Sequence, residues 1–292
     1  MRILNYGSLN LDYVYSVPRF VSPGETLAVS GFQINAGGKG LNQSIALARA
    51  GAEVYHAGCV GAGGGMLRDM LQKNNVDLRF LTDVPVPQGC AMIQVTPDGE
   101  NSILLYGGSN YALTRGQIDG VLSYFTSEDW LLLQNEVNEL PYLIAAAKAR
   151  GMHIILNPSP FDEVTASLDY NQIDWVIMNK PESLRLTVKN KPDAAWEALH
   201  ERFPSLHAVI TLGGDGSLLC RPGEKPYFQP VIKTDAVDTT GAGDTFAGFF
   251  FAGLVEGLRP EDCMARAAKA AAICVSRLGA APAIPTLNEV DG

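Results

Sequence analysis

The run Asp238-Thr239-Thr240-Gly241-Ala242-Gly243-Asp244 sets a carboxylate at either end of a string of small residues, just ahead of an apolar stretch. The pattern predicts a loop that turns into a helix N-terminus near Asp244. Free backbone N–H groups and the helix dipole at such a place can hold an anion. A carboxylate inside an anion site has a use if it takes up a proton during reaction. Asp244 as a base aimed at a hydroxyl, beside Gly241, Ala242 and Gly243 amides aimed at a moving phosphoryl group, describes phosphoryl transfer. The plain alternative is an aspartate that stabilises its own helix behind a tight turn. A lone Gly-x-Gly-Asp would favour that alternative; the whole run favours the chemical one.

Two further stretches carry polar groups in useful places. Ala36-Gly37-Gly38-Lys39-Gly40-Leu41-Asn42-Gln43 opens a helix that ends near Arg49. Its glycines let a ligand approach the backbone. Lys39 and Asn42, three apart, share a helix face and could both donate to hydroxyls. A glycine-rich turn with a solvated lysine fits this stretch equally well. Gly7-Ser8-Leu9-Asn10-Leu11-Asp12 follows the first strand, and Asn10 and Asp12 point to one side of an extended chain. Ligands of parallel sheets bind at such strand ends, although turns rich in Asn and Asp are common. Asn179-Lys180-Pro181-Glu182, Thr211-Leu212-Gly213-Gly214-Asp215-Gly216 and Glu136 also follow strands, and each taken alone reads as structural.

Other chemistries find little support. No Gly-x-x-x-x-Gly-Lys-Ser/Thr is present, which excludes a P-loop. Gly61-Ala62-Gly63-Gly64-Gly65-Met66 imitates a dinucleotide fingerprint but ends on Met66 and does not follow the first strand. The five cysteines and four histidines are scattered, without zinc-type spacing. They suit buried thiols in a reducing cytoplasm. A net charge of −9 argues against nucleic acid, and no basic amphipathic helix suggests an anionic membrane. The apolar run Thr245 to Val255 is too short for a membrane span of about 20 residues. No secretory leader is visible at the N-terminus.

These groups need a scaffold that brings strand ends together. The 292 residues, 47% hydrophobic, suit one large domain. Apolar strands at Trp130–Gln134, His153–Asn157, Trp175–Met178 and Ala208–Leu212 alternate with helices near Leu140–Arg150 and Ala194–Arg202. Two more helices fall near Asp244–Glu256 and Pro260–Val275. This rhythm predicts an α/β fold with a mostly parallel central sheet and helices on both faces. Thr26–Asn35 and Cys90–Tyr106 read instead as antiparallel strands, the latter folded at Pro97-Asp98-Gly99-Glu100. They predict a small antiparallel β lid, with segments near 13–35 and 90–107, on a single domain spanning 1–292.

Taken together and in their order, these segments resemble the PfkB family of carbohydrate kinases, and its ribokinase-like branch in particular, from Gly7 to about Pro285. The resemblance implies a ribokinase-like fold, ATP and Mg²⁺ as cofactors, and activation by K⁺. It implies that Asn10, Asp12, Gly38, Lys39, Asn42 and Glu136 hold a sugar, and that Asp244 deprotonates it. It implies that Gly241, Ala242 and Gly243 form the anion hole. Asn179 and Glu182 then organise Mg²⁺ and phosphates, while Thr211, Gly213, Gly216 and Gly243 contact the nucleotide. Asp238, Thr240, Cys274 and Gly279 match a monovalent-cation site, and the lid strands match a homodimer contact. Two departures stand out. Ala62-Gly63-Gly64-Gly65 replaces the usual acidic residues after Val60-Gly61, and Ala283 replaces a serine at the cation site.

The expected activity is transfer of a phosphoryl group from MgATP to a hydroxymethyl oxygen of a small neutral sugar, D-ribose first. A kinase for another sugar, a sugar acid or a nucleoside is the alternative. A phosphosugar fits less well, because Lys39 is the sole obvious cation at the sugar site. A non-catalytic sugar or nucleotide sensor, and more distantly a dinucleotide oxidoreductase, are the rivals from other classes.

Overall fold

The computed structural model describes residues 1–292. The chain opens with β1 (Ile3–Tyr6), β2 (Asn10–Ser16) and β3 (Gly31–Gly37), followed by α1 (Lys39–Arg49). Next come β4 (Val54–Ala62), α2 (Gly65–Lys73), β5 (Asp77–Pro87), β6 (Cys90–Val95), β7 (Asn101–Tyr106) and α3 (Arg115–Leu122). The middle alternates β8 (Trp130–Gln134), α4 (Leu140–Lys148), β9 (His153–Asn157), α5 (Glu163–Ala166) and β10 (Trp175–Asn179). α6 (Lys180–Thr187), α7 (Pro192–Arg202), β11 (His207–Thr211), β12 (Ser217–Cys220) and β13 (Tyr227–Gln229) follow. The chain closes on α8 (Ala242–Glu256), α9 (Pro260–Val275) and α10 (Leu287–Asp291).

Nine strands form one sheet in the order β13-β12-β11-β10-β9-β8-β1-β4-β5. Every pair from β11 to β5 is parallel, and β12 and β13 add antiparallel at one edge. The strands are apolar on both faces because helices cover both. In β8, Leu131 and Leu133 enter the core under α3, α4, α6 and α7, while Leu132 enters the core under α1, α8 and α9. The order in which strands are added reverses at β1, which lies between β4 and β8: β4 and β5 are laid down on one side of it, β8 to β11 on the other. Such a reversal opens a crevice at the carboxyl ends of the strands.

The second sheet has the order β3-β2-β6-β7. Its outer pairs are antiparallel, as expected, but its central pair β2–β6 is parallel. The reason lies in the body: β2 follows β1 and β6 follows β5, and both leave parallel strands by short connections. Asn10 and Asp12 thus belong to a lid strand instead of the end of β1, and the lid strand expected over Thr26–Asn35 occupies Gly31–Gly37. The turn after β6 forms as the sequence suggests. Thr96 N–H donates to the Glu100 carbonyl at 3.0 Å, Gly99 N–H to the Thr96 carbonyl at 2.9 Å, and Gly99 has a φ of 84°.

Candidate active site

Helix α8 begins at Ala242, two residues ahead of the expected start, so Asp244 sits in its first turn and is 8% exposed. Gly241 before it has a φ of 76°, and a Cβ there would stand 3.0 Å from Ala280. A glycine is therefore needed on both backbone and packing grounds. Ala242 N–H makes a long bond of 3.3 Å to the Thr239 carbonyl. The N–H groups of Gly241, Gly243 and Asp244 have no protein acceptor, as first-turn amides do not. They border a cavity of about 140 Å³ that Lys39, Asn179, Glu182, Thr211 and the Asp244 side chain also line. Next to it lies a wider, more apolar cleft of about 980 Å³, reached by Thr211, Gly213, Gly216, Ala242, Gly243, Ala268 and Val275.

Helix α1 presents its N-terminus to the same place. Gly38 precedes it with a φ of 94°, and a Cβ on Gly40 would stand 2.3 Å from the Ser8 nitrogen. The glycines let α1 press against the turn after β1. Glu136 caps this junction. Its Oε2 accepts the Lys39 N–H at 3.0 Å and the Ser8 hydroxyl, and Ser8 Oγ in turn accepts the Gly40 N–H at 3.1 Å.

Three carboxylates surround the Lys39 ammonium. Burial favours its neutral form, but Asp244, Glu136 and Glu182 outweigh this and hold its pKa above the ordinary lysine value. The lysine is thus a charged member of the site, and not the solvated side chain that the sequence alone allowed. Burial also raises the Glu136 pKa, against the pull of Lys39 and the Ser8 hydroxyl. Asp12 faces the same cluster from β2. Burial first, and then the Glu136 charge, push it up to about 7.

The structure gives four residues more specific contacts than the sequence did. Asn42 Nδ2 donates to Asp244 Oδ2 at 3.0 Å, while Asn42 Oδ1 is buried without a protein partner. The amide therefore gives a hydrogen to the base and keeps an acceptor free. Asn10 Oδ1 accepts from Asn110 Nδ2 at 2.7 Å, which leaves the Asn10 N–H groups to donate. Asn179 and Glu182 form a reciprocal cap on α6. Glu182 N–H donates to Asn179 Oδ1, and Asn179 N–H donates to Glu182 Oε2, each at 2.9 Å. Only part of each side chain remains for a ligand.

Asp238, Thr240, Cys274 and Gly279 meet behind the anion loop. Asp238 Oδ1 accepts from Thr240 N–H at 2.9 Å, Asp238 Oδ2 accepts from Gly279 N–H at 2.9 Å, and Cys274 Sγ lies 3.9 Å from the Thr240 carbonyl. Ala283, buried nearby, contributes no hydroxyl. The Gly63–Gly65 segment turns into α2 and approaches Leu11 of the lid strand β2. It links β4 to α2, which leads on to the parallel edge strand β5.

Ser8, Gln43, Asn110 and Asn157, to which the sequence assigns no role, hold the site side chains in place. Ser8 and Gln43 lie inside the two glycine-containing motifs near the N-terminus. Asn110 is a hundred residues from Asn10 and gave no local signal.

A family model described as pfkB family carbohydrate kinase matches residues 2–287. A ribokinase of Haemophilus influenzae is 35% identical, with 97% of this chain and 95% of that protein covered. The fold is similar to a ribokinase of Cryptococcus neoformans solved with ADP, at a TM-score of 0.90 and 34% identity, covering 99% and 98% of the two chains. It is also similar to an Arabidopsis thaliana ribokinase solved with ribose and ATP, at a TM-score of 0.88 and 31% identity, covering 99% and 97%. With a site that sets an aspartate beside an open helix N-terminus, and a family match over nearly its whole length, the chain belongs to the pfkB family of carbohydrate kinases.

Proposed function

We propose that this kinase transfers the γ-phosphoryl group of ATP to the hydroxymethyl oxygen of D-ribose, giving ribose 5-phosphate and ADP. One observation carries the reading: the Asp244 carboxylate and the unpaired amides of Gly241 and Gly243 line one small cavity with Lys39. A base and an oxyanion cradle side by side suit in-line transfer to an alcohol. The ribokinase names of the similar chains point to ribose. An ATP-coupled assay over a panel of pentoses, hexoses and nucleosides tests it. D-ribose should give the highest kcat/KM; a nucleoside or hexose ahead of it would overturn the substrate assignment.

In this reading Asp12, Asn10, Gly38, Lys39, Asn42 and Glu136 hold the sugar hydroxyls. Asp244 removes the proton from the attacking oxygen, which then bonds to the γ-phosphorus as its bond to the β-bridging oxygen breaks. The amides of Gly241, Ala242 and Gly243 receive the charge on the phosphoryl oxygens. Thr211, Gly213 and Gly216 border the wider cleft, which suits the adenosine part of ATP.

Mg²⁺ fits the donors present. No three His, Cys, Asp or Glu side chains gather into a cage. A buried Glu182 with an exposed Asn179 suits an ion that keeps its waters and binds through phosphates. When bound, it would neutralise phosphate charge. A monovalent cation such as K⁺ fits beside Asp238, where a carboxylate and the C-terminal end of α9 converge.

A homodimer through the lid suits the exposed apolar row of Ile34, Met92 and Leu104, which cross-strand pairing with Tyr13 sets on one face. A single functional domain over 1–292 suits a lid whose β2 and β6 rise directly out of β1 and β5. Five free cysteines suit the reducing cytoplasm. No helix is long and apolar enough to cross a membrane.

A further inference from the structure

Below α1 the body sheet carries a row of polar side chains where apolar ones would be expected. Asn5, His56, Gln134 and Asn157 each lie two residues beyond a core residue of the same sheet face, namely Ile3, Val54, Leu132 and Ile155. All four belong to adjacent parallel strands: β4, β1, β8 and β9. Asn5, His56 and Gln134 are fully buried. Buried polar groups on this scale carry a desolvation penalty unless they are paired.

Their hydrogen bonds run in one direction, toward Asp244. Asn5 Nδ2 gives both hydrogens to α1, one to the Gly40 carbonyl at 2.7 Å and one to Ser44 Oγ at 2.8 Å. Ser44 Oγ lies 2.8 Å from His56 Nδ1, and burial keeps that imidazole neutral by pushing its pKa down to about 4. Asn5 Oδ1 must then face a donor, and Gln134 Nε2 supplies it at 3.0 Å. The second Gln134 hydrogen goes to Gln43 Oε1 at 2.7 Å. Gln43 Nε2 is left pointing away, at Asp244 Oδ1 at 2.8 Å and at Asn157 Oδ1 at 3.2 Å. Asn157 is fixed in turn by its own donation to the Ile177 carbonyl at 2.8 Å.

The amide of Gln43 therefore has one allowed orientation. Turned over, its oxygen would meet Asp244 Oδ1 and Asn157 Oδ1, and its N–H groups would meet those of Gln134. The donor that reaches Asp244 is set by backbone carbonyls on α1 and β10, through three side-chain amides. Asn42 takes the other oxygen of the same carboxylate from the neighbouring position of α1. Two donors on opposite oxygens fix the plane of the carboxylate. The charged or titratable groups facing Asp244 besides these amides are Lys39 of α1, Glu136 after β8 and Cys274 of α9. None of them is hydrogen-bonded to its side chain.

We propose that Gln43, held in place by Gln134 and Asn5, is a positioning residue for the base: it orients the Asp244 carboxylate toward the acceptor hydroxyl without itself binding sugar or nucleotide. The inference rests on Asp244 being the base. A base displaced by a fraction of an ångström loses turnover while the binding contacts stay in place.

The test compares Gln43→Met, Gln43→Glu, Gln134→Met and Asp244→Asn in the full chain, with ATP and the sugar the parent phosphorylates fastest. Gln43→Met removes the donor and keeps the volume. Gln43→Glu keeps the acceptor for Gln134 but sets a carboxylate oxygen against Asp244. The expected result is a kcat reduced about ten- to a hundredfold in Gln43→Met and further in Gln43→Glu, with both KM values within about twofold of the parent. Gln134→Met, one link further away, should show a smaller loss with the same split, and it serves in place of Gln43→Met if that variant does not fold. Parent-like kcat in the Gln43 variants, or a loss carried by KM, overturns the inference. If Asp244→Asn is inactive in that case, the base assignment survives; if Asp244→Asn is as fast as the parent, the base assignment fails first and takes the inference with it.

Discussion

One helical turn below the Asn42–Asp244 hydrogen bond, Gly248 of α8 lies directly on Ala46 of α1. A Cβ at Gly248 would stand 2.3 Å from the Ala46 methyl and 2.8 Å from the Ala46 carbonyl carbon. Asn42 and Ala46, and Asp244 and Gly248, are each four residues apart, so each pair shares a helix face. The bare backbone at Gly248 lets the two helices approach closely enough for the amide to reach the base. Gly248→Ala should overpack this contact and destabilise the fold by about 1–3 kcal/mol. It should also lower kcat more than it raises the KM for ATP. Thermal melting and steady-state kinetics check both parts, and an unchanged melting temperature would show that the helices have slack.

Asp12 should make sugar capture depend on pH near neutrality. Its pKa is pushed up to about 7 by burial and by Glu136. Sugar hydroxyls donate best to the ionised form, so kcat/KM for the sugar should fall as pH drops below about 7, by up to tenfold per unit. Asp12→Asn should flatten that limb at a low level. The stability effect has the opposite sign. With a folded pKa above the usual 3.8, the stability linked to this group is complete at low pH and is lost as pH rises through about 7. Asp12→Asn should therefore raise the melting temperature at pH 8 more than at pH 5. Equal shifts at the two pH values would place Asp12 in a solvated setting.

The lid makes a separate forecast. Leu104 is 61% exposed on β7, opposite Met92, on a sheet face with little body to cover it. Light scattering on the parent should give a dimer, and Leu104→Asp should give a monomer with a raised sugar KM. A monomeric parent at micromolar concentration would remove the lid contact from the account.

Ala283 bears on the proposed cation activation. The Asp238 carboxylate and the Thr240 and Gly279 backbone are in place, but the hydroxyl is missing. A hard cation that loses one neutral oxygen should bind less tightly unless a water replaces it. K⁺ should still activate but with weakened affinity, and Ala283→Ser should lower the concentration needed. The check is a KCl titration at constant ionic strength, balanced with a bulky organic cation. Identical half-saturation in the two proteins would mean that the hydroxyl does not matter; indifference to K⁺ would remove the site.

The sequence made the body of the fold readable because its buried strands are short apolar runs between helical patterns. Trp130–Gln134 and His153–Asn157 fall where they were read, and α4 and α8 differ only at their ends. β5 escaped notice. It is the half-exposed edge strand Asp77–Pro87, with charged residues and two prolines that dilute any apolar run. The lid was seen in outline, but its parallel β2–β6 pair depends on how β1 and β5 lie in the body. In the site, the motifs pointed to cavity residues such as Lys39, Asn179, Thr211 and Asp244 through their combination and order, since each stretch alone also reads as an ordinary turn. Gln43, Gln134 and Asn5 stayed silent. Each is an ordinary amide whose meaning comes only from neighbours on other strands.

Asp244 as the base is the assignment on which the other roles in the site rest, and Asp244→Asn tests it directly. The substitution removes the proton acceptor, changes little volume and leaves the helix N-terminus intact. Single-turnover phosphoryl transfer from ATP, measured with saturating sugar, should slow by about 10²–10⁴-fold. Binding of ATP and sugar, read by calorimetry on the same preparation, should stay within a few-fold of the parent. Transfer within a few-fold of the parent rate would contradict the account, because a site built around Asp244 would then be doing its chemistry without it.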